Sequence, residues 1–87
     1  MYQIVYYIKV TDGLSSKKQE YNRHETAGNF RLRKNALHYV IEILKQDYIE
    51  QGFAADQIVG GIYCYKSEKT AEGDRKITEI IVKVEKG

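Results

Sequence analysis

Eighty-seven residues, 43% of them from the AVILMFWYC set and 30% charged, make one small globular domain with room for a single core. Fourteen basic side chains against twelve acidic ones give a formal charge of +2, too near balance to argue for nucleic acid alone, and the short apolar runs span no membrane. Proline is absent, Cys64 is the one cysteine, and the start MYQIVYYIKV alternates instead of reading as a signal peptide, so the expectation is an intracellular, cytoplasmic protein without an intramolecular disulfide or a CxxC metal pair.

The chain opens on a period-two pattern. Ile4, Tyr6, Ile8 and Val10 alternate with Gln3, Val5, Tyr7 and Lys9, which predicts a strand over 2–10 ended by TDG at 11–13. Residues 14–29 are polar and nearly devoid of large apolar groups. Within them SSKKQE has the form of a serine cap followed by glutamate, which suggests a short helix from Ser16 towards His24. Sixteen residues is long for an unstructured connection in so small a domain. Residues 11–29 are therefore expected to form a polar, basic arm, partly ordered or mobile, with a short extra strand as one option. Between Lys17 and Lys34 six basic residues meet only two acidic ones, so Lys17, Lys18, Arg23, Arg31, Arg33 and Lys34 form the candidate basic contact segment.

A long helix is predicted over 30–51, with Asn29 as its cap and Gly52 as its end. At 100° per residue Leu32, Ala36, Leu37, Tyr39, Val40, Ile41, Ile43, Leu44 and Tyr48 fall within an arc of roughly 200°. That is wider than one sheet face requires, and it implies cover from the arm or from a second subunit. A short link over 53–57 leads to two further strands, 58–66 and 76–85, joined by SEKTAEGDR. The expected fold is α+β: one long helix packed across a three- or four-stranded, mainly antiparallel sheet, in the order β-arm-α-β-β.

Strand parity sorts the side chains onto two faces. Ile4, Tyr6, Ile8 and Val10, with Ile58, Gly60, Ile62 and Cys64 and with Thr78, Ile80, Val82 and Val84, form the core face beneath Leu37, Val40, Ile41 and Leu44. The adjacent glycines at 60 and 61 admit a bulge as an alternative. The second face carries Val5, Tyr7, Lys9, Val59, Gly61, Tyr63, Tyr65, Ile77, Ile81 and Lys83, more apolar and aromatic than a solvated face needs. Tyr7, Lys9, Tyr63, Tyr65, Ile81 and Lys83 are the candidate binding face.

Chemistry is scarcer. His24-Glu25 is half of an HExxH motif, but position 28 is glycine. Cys64 falls on the core side, where a thiol behaves as a small hydrophobe. No catalytic residue, cofactor or metal site is expected. The sequence favours a non-catalytic protein-interaction or regulatory module, homodimeric or bound to another protein. The alternatives are a nucleic-acid-binding protein, using the tyrosine face and the basic arm, and a small enzyme with an unrecognised site.

Overall fold

The computed structural model describes residues 1–12, 20–26, 28 and 30–87. Five strands form one antiparallel sheet: β1 (Tyr2–Asp12), β2 (Asn22–Glu25), β3 (Ala54–Ile58), β4 (Gly61–Lys69) and β5 (Arg75–Lys86). Their spatial order is β2-β1-β5-β4-β3, so the two longest strands, β1 and β5, lie side by side in the middle. Between β2 and β3 the chain forms a continuous helical rod, α-helical over Arg33–His38 (α1), π-wound over Tyr39–Leu44, and α-helical again over Lys45–Glu50 (α2). The α+β class with one long helix on an antiparallel sheet is as expected; the strand count is five instead of three or four.

The two additional strands have different origins. β2 lies in the polar segment, and Val5 to Ile8 pair with Glu25 to Asn22 in antiparallel register. The short helix expected from Ser16 towards His24 gives way to this strand at 22–25. Its earlier part, together with Lys17 and Lys18, lies outside the described residues, as does the cap expected at Asn29. The helix instead starts at Arg33, behind Leu32, which makes no side-chain capping bond. β3 occupies the segment expected to be a link. It reverses into β4 through a two-residue turn at Val59 and Gly60, with Ile58 opposite Gly61 and a φ of +79° at Gly60. The glycine pair therefore marks a hairpin, neither a strand interior nor a bulge: only a residue tolerant of positive φ closes so short a turn. Val59 sits at its tip, 94% exposed, and belongs to neither face.

The core lies between the rod and the sheet. Ile4, Val40, Ile62, Cys64, Ile80 and Val82 are its buried centre, with Tyr6, Ile8, Phe30, Ile41, Leu44, Tyr48, Phe53, Ala55 and Val84 packed around them. The π turn explains why the apolar arc looks too wide when drawn on a regular wheel. One i→i+5 turn carries about one extra residue, so the positions beyond it lag by about 100°. Leu44 and Tyr48 are thereby brought into line with Ala36 and Val40, while Ile43 swings outward and is left exposed beside Leu32 and Tyr39. The rod crosses the sheet obliquely, from β1 and β5 at its start to β3 at its end. It leaves the far ends of β1, β4 and β5 uncovered, and Val10, expected in the core, is exposed there. The molecule measures 46 × 25 × 20 Å.

Beyond the rod, β4 and β5 are joined by residues 70–74. The Gly73 N–H bonds the Thr70 carbonyl, the Thr70 N–H bonds that of Asp74, and Gly73 takes a φ of +91°. A left-handed glycine after a tight turn is the expected closure for this loop length.

Candidate functional site

The helical rod packs on one face of the sheet, and among the described residues no element lies over the other. Hydrogen-bonding register arranges that open face in rows. Arg23, Tyr7, Ile81, Tyr63 and Asp56 stand side by side from β2 to β3. One row towards the helix start of the sheet stand Glu25, Val5, Lys83, Gly61 and Ile58; one row the other way stand Lys9, Glu79, Tyr65 and Ala54. Ile58, expected on the core face, is moved to this one because the chain reverses at Val59 and Gly60 instead of running straight through. The structure thus brings Tyr7, Lys9, Tyr63, Tyr65, Ile81 and Lys83 onto one surface. Val5 also belongs here but is fully buried between Glu25 and Lys83 in the ladder, so it supports the face without being presented by it.

The basic segment is divided. Arg23 stands on the open face in β2, whereas Arg31, Arg33 and Lys34 are exposed at the start of the helical rod, in the other layer of the molecule. They do not continue a track from the tyrosines.

Tyr21, which sequence reasoning missed, completes the surface. Its hydroxyl donates to Glu79 Oε2 at 2.7 Å and its ring lies 4.8 Å beneath the Lys9 ammonium. The one signal for it is parity: once Tyr7 is opposite Arg23, Tyr21 falls on the same face beside Lys9. Tyr7, Tyr21, Ile81 and Lys83 line a shallow pocket of about 170 Å³.

Each half of the surface has a carboxylate at its hub. Glu79 accepts from Tyr21 and pairs with Lys9 at 3.3 Å. Glu85 accepts from the Tyr7 hydroxyl and from Arg23 Nη2 at 3.1 Å, and Arg23 also pairs with Glu25. The hydrogen bonds from Tyr21 and Tyr7 are the main cause holding Glu79 and Glu85 below the usual carboxylate range, with Lys9 and Arg23 adding to it. Desolvation, then the Glu79 bond, pushes the Tyr21 phenol up to about 12, and desolvation raises Tyr63. Arg23 is held firmly protonated by Tyr7, Glu25 and Glu85. Lys9 and Arg23 therefore spend much of their charge on carboxylates of the same face.

Cys64 lies buried on the core side, where burial pushes its thiol up to about 11, away from the thiolate that a nucleophile or metal ligand requires. His24 and His38 are both exposed, and no group of three or more His, Cys, Asp or Glu residues suited to a metal ion occurs among the described residues. Among those residues no helix is long and apolar enough to cross a membrane. No protein-family model matches the chain, and neither a curated protein nor a solved structure does.

Proposed function

We propose that the protein is a non-catalytic protein-interaction module whose working surface is the open face of the sheet. The observation that carries this reading is the Tyr7–Ile81–Tyr63 row, flanked by Tyr65 and Tyr21, on a face that no described element covers. Tyrosines contribute large contact area at low entropic cost, and a contiguous aromatic patch is characteristic of surfaces that meet other proteins. The internal pairing of Lys9 and Arg23 favours a protein partner over a phosphate backbone, which requires cations that are available to it.

A peptide-display selection tests the reading. Peptides enriched on the native chain are expected to lose binding to a Tyr63→Ala/Tyr65→Ala variant that retains its circular dichroism and melting transition. Enriched peptides indifferent to that variant would overturn the proposal. So would single-stranded RNA or DNA binding at low salt that the same variant abolishes, an outcome that supports the nucleic-acid reading instead.

A further inference from the structure

The rows of the open face differ in a way that matters for what can lie on it. The Glu79 row presents a carboxylate on β5 and a bulky Tyr65 on β4, whereas the Lys83 row presents an ammonium on β5 and the side-chain-less Gly61 on β4. The Tyr7–Ile81–Tyr63 row lies midway between them. A two-fold axis parallel to the sheet and running along that middle row exchanges the outer two. Glu79 of one copy then lies opposite Lys83 of the other, Tyr65 opposite Gly61, Lys9 opposite the buried Val5, and Ile81 opposite itself. On β5 opposite charges meet, and on β4 the largest side chain meets the smallest; at the edges Arg23 and Asp56 fall opposite themselves, Arg23 with its charge already engaged by Glu25 and Glu85. The charge inventory of the rows is mixed: Lys9, Arg23 and Lys83 stand among Glu25, Asp56, Glu79 and Glu85, so neither sign dominates the face.

Resting on the interaction-module reading, we infer that the open face is occupied by a second copy of this chain, packed sheet to sheet with its strands antiparallel across that axis. Sheets stack about 10 Å apart, within reach of a long lysine–glutamate pair. The area is adequate. Strands about 4.8 Å apart at about 3.4 Å per residue, with about seven residues each of β1, β5 and β4 and the four and five residues of β2 and β3, give roughly 500 Å² per copy and about 1,000 Å² for the pair, at the threshold of a specific interface. An isologous contact of this kind closes on itself and does not propagate.

Charge reversal tests the inference through its reciprocity. By sedimentation equilibrium the native chain is expected to form a dimer of its 10.1 kDa subunit at micromolar concentration. Lys83→Glu places glutamates opposite glutamates and Glu79→Lys places lysines opposite lysines, so each variant alone should dimerise at least about tenfold more weakly. Mixed in equal amounts the two should restore a dimer, because both contacts become Glu–Lys again. A native chain that stays monomeric at 100 µM (a nominal upper test concentration, about the limit of a useful affinity) would overturn the inference, as would single variants that dimerise like the native chain or a mixture that fails to recover. None of these outcomes touches the peptide selection, so the two proposals fail separately.

Discussion

The two faces of the sheet carry similar side chains under opposite conditions. On the helix side Ile62, Cys64 and Val82 are fully buried, and among the described residues no polar or charged one is buried. On the open side Ile81 and Tyr63 stand in the same strands, one residue out of phase, with carboxylates, lysines and an arginine around them. A strand with apolar groups at both parities needs two partners, and the helical rod supplies only one. The contrast locates stability on one face and leaves the other as the one proposed for association.

The largest expected effect separates these roles. Ile62→Ala removes a fully buried side chain from beneath Val40 and should cost about 3 kcal/mol, lowering Tm by more than about 10 °C. Ile81→Ala, measured by denaturant titration in dilute monomer, should cost under about 1 kcal/mol. Equal costs would mean that the open face is covered within the monomer.

Next comes Gly61, where an added side chain would run into the backbone of β5. A Cβ there would lie 1.8 Å from the Val82 carbonyl oxygen, so Gly61→Ala must push β4 away from β5 and should cost about 1–3 kcal/mol. Gly73 has no neighbour within 4 Å of the same added atom, and its substitution meets only the strain of a positive φ, about 1 kcal/mol. Chemical melts of the two alanine variants give the ordering directly.

The pH dependence sharpens the comparison further. Glu79 and Glu85 have folded pKa values below their unfolded ones, so their contribution is present above the unfolded value of about 4.3 and lost as pH falls through the folded ones. Urea midpoints should drop below about pH 4.3, and less so in Glu79→Gln or Glu85→Gln. On the alkaline side the half-buried Tyr48 phenol, like Tyr21, is raised to about 12, and the Cys64 thiol to about 11. Their contributions are complete below the unfolded values and lost as pH rises through the folded ones. Tyr48→Phe should flatten the alkaline limb from the helix side, and Tyr21→Phe from the open side.

The smallest effect belongs to the overhanging hairpin. Lys66 pairs with Glu68 at 3.2 Å in largely solvated surroundings, and Glu68→Gln should change stability by less than about 0.5 kcal/mol in a thermal melt.

What could be read in advance followed side-chain periodicity. The parity of β1 and β5 is fixed by unbroken alternation, so their two faces were legible, as was the burial of Cys64; before Gly61 the parity failed, because the hairpin at Val59 and Gly60 puts Ile58 on the open face, and Val10 lies beyond the reach of the helix. β3 was not, because Ala54, Ala55, Asp56 and Gln57 have little strand preference of their own. They are held by pairing to β4 and by Phe53 and Ala55 packing against the core. β2 was legible only as an option, a short extra strand in the arm: all four of its residues are exposed, so no apolar pattern fixes it. The π turn is invisible to a wheel drawn at a constant 100°, which is why the helix seemed to need cover all along one flank. Tyr21 could not be assigned to the open face before the β1–β2 register was known.

The length of the molecule, 46 Å against 25 and 20 Å, follows from strands that run on past the helical rod. Such a body experiences more friction than a sphere of equal mass and tumbles faster about its long axis than across it. Stacking a second copy on the broad open face adds thickness without adding length, so the pair would be the rounder particle. Hydrodynamic radius should therefore grow less on pairing than a doubling of mass suggests, and the monomer should elute from a sizing column ahead of a compact protein of its own weight.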